Sequence, residues 1–140
     1  MSRLCPWLAA WALGAGLLAG SLPQARGDAA RGERVFQHCY ACHSVVAGET
    51  DPPGPNLLGV LGRRAGVLPG FGYSPAMKAA GATRRLVWTR KTLDAFLANP
   101  QRVVPDTTMG MPGLPDARDR RDVIDYLAEA ARAARTAPRK

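Results

Sequence analysis

Cys39-Tyr40-Ala41-Cys42-His43 is the stretch on which the reading of this 140-residue chain turns. Two thiols separated by two residues, with an imidazole immediately after the second, form the C-x-x-C-H signature of covalent haem attachment. Each cysteine sulfur adds to one vinyl group of the porphyrin, which ties one ring edge to a short length of backbone. His43 is then delivered beneath the iron as proximal ligand. A zinc half-site, a thioredoxin-like redox pair and coincidence are the competing readings. A structural zinc site needs two further ligands. Beyond the motif the chain holds only Cys5, in a leader-like segment, and His38, beside the motif itself. A thioredoxin-like pair belongs near a βαβ pattern, and none is visible. One haem c is therefore expected, held through Cys39 and Cys42.

Residues 1–26 differ in composition from the rest. Arg3 gives a positive start, Trp7 to Ala19 is an apolar run broken only by glycine, and Ser21 to Arg26 is a polar exit containing proline. That order is a secretory signal, with cleavage expected after Ser21 or Ala25. The apolar run falls short of the ~20 residues needed to span a bilayer, so an uncleaved anchor is the lesser alternative. With the leader gone, the two motif cysteines are the only ones left, and a structural disulfide within the monomer is excluded. The expected organisation is a signal peptide over 1–26, one domain over 27–135, and a flexible tail over 136–140. The net charge of +8 suits acidic docking sites, anionic headgroups or plain solubility. Because the arginines are scattered, nucleic acid is not an expected partner.

Hydrophobic periodicity predicts helices rather than strands. Asp28 to His38 reads as a short helix, with Gly32, Val35 and Phe36 on one face. Glycine there costs about 1 kcal/mol relative to alanine, and a close helix crossing would account for it. Residues 44–75 are rich in glycine and proline, a loop too long for a compact domain unless it wraps a ligand. A short helix is predicted from Pro75 to Ala80, stopped by Gly81. Another is predicted from Thr89 to Ala98, ended by Asn99-Pro100. Residues 101–115 read as irregular. A last helix runs from Asp116 or Asp119 to about Ala134, its buried stripe being Val123, Ile124, Leu127, Ala128 and Ala131. The fold class is all-α.

The sixth position on the iron has His38, Met77, Met109 and Met111 as candidates. His38 precedes Cys39 and lies on the proximal side. Met109 and Met111 fall in a segment bounded by Pro105 and Pro112. Residues two apart on an extended segment share a side, so spacing leaves both open.

From Gly27 to about Glu129 the chain resembles the class I cytochromes c, of the mitochondrial and bacterial cytochrome c2 kind. The resemblance is carried by Gly54-Pro55-Asn56-Leu57, by Gly59 to Arg63 with Gly66, and by Phe71 to Ser74. It continues through Trp88, Thr92-Leu93 and Asn99-Pro100, then Pro105 to Met109, Pro112 to Leu114 and Tyr126-Leu127. It implies the cytochrome c fold, in which N- and C-terminal helices cross, here at Gly32 and Phe36 against Val123 and Tyr126, and loops wrap one haem. It also implies Met109 as the sixth ligand, with Met111 an apolar neighbour. Pro55 would offer its carbonyl to the other N–H of His43. Arg63, Tyr73 and Trp88 would bond a buried haem propionate, and Thr107 would do similar work near Met109. Two departures stand out: Phe96 replaces a tyrosine and Met77 replaces an asparagine, both making the distal side more apolar.

The implied function is one-electron transfer in the periplasm, where bacterial members of the family acquire their haem. Such a protein is a carrier and not an enzyme, because His/Met ligation fills both axial sites and raises the potential. Its partners would be redox proteins, respiratory, photosynthetic or dehydrogenase, with membrane contact only transient or through an uncleaved leader, and the carrier itself a monomer. The alternatives are a five-coordinate haem enzyme or gas sensor, or a dedicated cytochrome subunit of a periplasmic dehydrogenase complex.

Overall fold

A computed structural model describes residues 27–137. The expected signal peptide, and residues 138–140 of the expected tail, lie outside the described residues. Five helices carry the architecture: α1 (Ala29–Phe36), α2 (Pro75–Ala82), α3 (Arg90–Ala98), α4 (Pro100–Val103) and α5 (Ala117–Thr136). The only β pairing among the described residues is the bridge between Arg64 and Val87. None of the helices is long and apolar enough to cross a membrane.

α1 and α5 cross, as expected, and the crossing centres on Gly32. Asp28 opens α1 by accepting the Arg31 amide at 3.0 Å, and Asp116 opens α5 by accepting the amides of Arg118 and Asp119. A β-carbon on Gly32 would overlap the Asp122 carbonyl and come within 2.9 Å of Tyr126 Cβ. Phe36 lies one turn further on, 1% exposed. Its ring meets Tyr40 edge-on at 4.7 Å between centroids and Tyr126 at 5.3 Å. The two tyrosine hydroxyls, 2.9 Å apart, complete the contact.

The buried face of α5 differs from the predicted stripe. Val123, Ile124 and Leu127 are buried, Ala128 and Ala131 only half-buried, and two aspartates, Asp122 and Asp125, are buried among them. Asp122 accepts the Asp28 amide at 2.8 Å and pairs with Arg31. Asp125 accepts the Gly27 amide and pairs with Arg90. Each carboxylate thus has both an N–H donor and a cation, which is what makes burial of a charge tolerable.

Three boundaries also shift. α1 ends at Phe36, and the chain tightens through the turns that carry Cys39 to Cys42 instead of continuing as helix to His38. α2 runs through Gly81 to Ala82, with Gly81 buried against the Ala65 carbonyl. Pro100 does end α3, but it also starts α4: with no N–H to lose it suits a first helical position, and Asn99 caps the new helix by accepting the Arg102 amide at 3.0 Å.

Candidate cofactor site

The loop over 44–74 and the segment over 105–112 close around a cavity of about 340 Å³. Its inner wall is apolar: Phe36 from α1, Leu93, Phe96 and Leu97 from α3, Val123 and Leu127 from α5. Cys39, Cys42, His43, Pro55, Arg63, Tyr73, Trp88, Thr107 and Met109 all line it.

On one side the turn after α1 presents the pentapeptide. The amides of Cys42 and His43 both donate to the Cys39 carbonyl, at 3.0 and 2.9 Å, which folds the motif into a single turn. His43 Nδ1 lies 2.8 Å from the Pro55 carbonyl oxygen. A carbonyl only accepts, so Nδ1 carries the proton and Nε2 keeps its lone pair, the tautomer that a metal-binding imidazole requires. Burial pushes the His43 pKa down, and the Pro55 bond offsets this in part. Burial raises the Cys39 thiol, with Cys42 adding to the effect.

Gly54, which the sequence offers only as part of the resemblance, is itself a site residue. A β-carbon there would stand 2.7 Å from Cε1 and 2.8 Å from Nδ1 of His43. The loop can approach the imidazole closely enough to deliver Pro55 only because Gly54 has no side chain. The Gly-Pro pair, read together with the motif histidine, was the available signal.

The polar groups of the opposite wall are few. Arg63 is half-buried, donates to the Asn56 carbonyl at 2.9 Å, and has its pKa lowered by burial. Tyr73 packs edge-on against Phe71 at 4.7 Å, and burial raises its phenol pKa against the pull of Arg63. Trp88 is 7% exposed and tilted on Phe96 at 4.9 Å. Guanidinium, phenol and indole donors along an apolar wall suit an acidic group carried by a largely apolar ligand.

Around the segment over 105–112, Gln101 donates to the Thr107 carbonyl at 2.9 Å and accepts the Asp106 amide at 3.1 Å. Thr107 Oγ1 faces the Met109 amide at 3.4 Å. This bracing role of Gln101 has no signal in the sequence. Three thioethers, of Met77, Met109 and Met111, line the cavity. Among the described residues no three His, Cys, Asp or Glu side chains converge on a metal site of another kind. The thiol pair, the oriented imidazole, the thioethers and the donor-bearing apolar wall fit a haem.

Comparisons with known proteins identify the family. The sequence model of the family described as cytochrome c matches residues 29–131. Cytochrome c2 of Agrobacterium tumefaciens (strain II Chrys) is 44% identical over 87 residues, which is 62% of this chain and 78% of that protein. Cytochrome c2 of Rhodomicrobium vannielii is 46% identical over 99 residues, 69% of this chain and 74% of the relative. Among solved structures, cytochrome cH from Methylobacterium extorquens aligns with a TM-score of 0.67 at 40% identity, covering 74% of this chain and 99% of that one. The match runs from α1 into α5 and takes in every residue of the cavity wall, so this chain belongs to the cytochrome c family, whose members carry electrons and are not enzymes.

Proposed function

We propose that the mature protein, residues 27–135 with their tail, is a periplasmic one-electron carrier. It would hold a single haem c through Cys39 and Cys42, with His43 and Met109 as the residues that would bind its iron. The single observation that carries this reading is the His43 Nδ1 to Pro55 contact beside the thiol pair. It fixes one tautomer and one ring orientation with Nε2 available inside a mostly apolar cavity. When bound, the haem supplies reversible one-electron chemistry at its iron. The residues of the chain hold it and set its surroundings. Phe36, Leu93, Phe96 and Leu97 exclude water, which favours a rigid, weakly reorganising site. Arg63, Tyr73 and Trp88 offer donors to a propionate. Gln101 and Thr107 restrain the backbone that brings Met109 to the cavity. Redox proteins are the partners that such a carrier serves.

An intact mass of the exported protein, taken together with its visible spectrum, tests the reading. The expected result is the mass of a leaderless chain plus one haem that resists acidified acetone. Cys39→Ala/Cys42→Ala should release all pigment into the same solvent. Colourless wild-type protein, or rapid carbon monoxide binding to the untreated ferrous form, would replace the carrier with another reading, the latter with a five-coordinate haem protein.

The apolar distal side has its own expected outcome. Phe96 packs on Trp88 where a tyrosine would bring a hydroxyl. Phe96→Tyr adds one donor near the thioethers and should shift the midpoint potential by tens of millivolts, a small part of the ~0.8 V that axial ligands span. Voltammetry of the two proteins side by side checks this, and identical potentials would remove Phe96 from the account.

A further inference from the structure

Residues 52–93 contain seven arginines and lysines and not one aspartate or glutamate. Arg63 lines the cavity, Arg90 pairs with Asp125, and Arg84 donates to the Val103 carbonyl at 2.9 Å. Lys91, in the first turn of α3, and Arg64, Lys78 and Arg85 are exposed and enter no ion pair among the described residues, and the last three lie on neighbouring segments. The backbone draws these three together. Arg64 bridges Val87, the Ala65 amide donates to Leu86 at 2.9 Å, and the Leu86 amide donates to Ala80 of α2 at 3.0 Å. Gly66 lies against α2 so closely that a β-carbon on it would stand 2.9 Å from Lys78 Cα. The loop that begins there exposes Val67, 49% accessible. Arg85 is held at a φ of +53°, a left-handed conformation that few non-glycine residues adopt.

Among the described residues no carboxylate pairs with these three cations, and none of the three lines the cavity. The exposed residues that line the cavity are His38, Cys42, Pro53, Thr108 and Gly110, none of them Lys, Arg, Asp or Glu. Arg64, Lys78 and Arg85 are therefore not among the residues through which the cavity opens.

We propose that Arg64, Lys78 and Arg85, with Val67 beside them, form a docking surface for the carboxylate-rich surface of a partner protein, and that docking there leaves the cavity mouth open. Two of the three cations are arginines, whose planar forks match carboxylates bidentately. An exposed apolar side chain with an arginine rim has the composition of a protein interface. A bilayer surface would call for an amphipathic helix or a larger apolar anchor. The electron-carrier reading supplies the purpose, since a carrier tethered by one face can exchange electrons through another. The binding itself needs no redox step, so it and that reading fail in separate experiments.

The test uses the full mature haem-loaded protein and a fluorescent oligoglutamate peptide, with anisotropy read at low ionic strength. Arg64→Gln/Lys78→Gln/Arg85→Gln is compared with Arg118→Gln/Arg121→Gln/Arg135→Gln, which removes equal charge from α5. The first triple should bind about tenfold more weakly than wild type and the second within about twofold, because local complementarity decides affinity here and net charge does not. Binding should vanish at about 1 M salt, where the Debye length falls to about 3 Å. Bound peptide should protect Lys78 from acetylation and leave His38 open to diethyl pyrocarbonate. Equal losses in both triples, no binding at low salt, or protection of His38 would each overturn the proposal. So would capture by phosphatidylcholine vesicles containing one-quarter phosphatidylglycerol that depends on these residues when peptide binding does not.

Discussion

Met109→Ala is expected to abolish the weak near-infrared sulfur-to-iron band of the oxidised protein and to lower its midpoint potential, while Met111→Ala keeps the band. Gln101 holds the Thr107 carbonyl and the Asp106 amide, and the Thr107 amide donates to Val104 at 3.1 Å, so the approach to Met109 is tied at two points to α4 and at a third to the residue that ends it. Beyond Met111 the next restraint is the Leu114 amide on the Leu97 carbonyl at 2.7 Å. A thioether held by a short, braced segment loses little freedom when it coordinates, which favours Met109 as the ligand. Thioether ligation raises the potential, and its loss should lower it on the order of 0.1 V, within the ~0.8 V range that axial ligands command. Near-infrared absorption and voltammetry of both variants check the assignment. A band that survives in Met109→Ala and disappears in Met111→Ala would move the ligand by two residues.

The second large effect is expected at Gly32. Alanine is the better helix former by about 1 kcal/mol, so on propensity alone Gly32→Ala should stabilise α1. The packing predicts the reverse. The added methyl would meet the backbone of α5 at Asp122, as well as Tyr126 Cβ, and a backbone carbonyl cannot rotate aside as a flexible side chain can. Separating the helices would also loosen Phe36 from Tyr126 and stretch the bonds from Gly27 and Asp28 to Asp125 and Asp122. A net loss of roughly 3 kcal/mol is expected, at the upper end for overpacking. Glu33→Ala, one position along on an exposed face, should stay within about 0.5 kcal/mol. Guanidinium unfolding of the haem-loaded protein compares the two variants. Wild-type stability in Gly32→Ala would mean that the helices do not approach as closely as described.

Much of this was legible in the sequence because its signals are local. Caps at Asp28, Thr89 and Asp116, proline at Asn99-Pro100 and the pentapeptide each act within a few residues. Gly32 was readable as a crossing point because a mid-helix glycine needs a reason. Asp122 and Asp125 were not readable as buried. An aspartate beside Val123 and Ile124 looks outward-facing until its partners are known, and those partners, Gly27 and Asp28, lie 98 and 94 residues away. The role of Gly54 was hidden for the same reason: its neighbour is the His43 ring, which only the fold brings near. α4 was missed because a four-residue helix leaves no periodicity to detect. The nine site residues were named from the motif and the resemblance. The cavity that gathers them depends on loop paths that glycine and proline permit without specifying.

The pairing of α1 with α5 has an implication for how the chain is assembled. The first helix of the domain finds its partner only in the last one synthesised, so the largest helix–helix contact waits for the whole polypeptide. Joining ends this distant is slow by the measure of contact order. Throughout that interval Cys39 and Cys42, just after α1, belong to a chain that has not yet closed. The delay that topology imposes keeps both thiols open to solvent until the cavity forms around them.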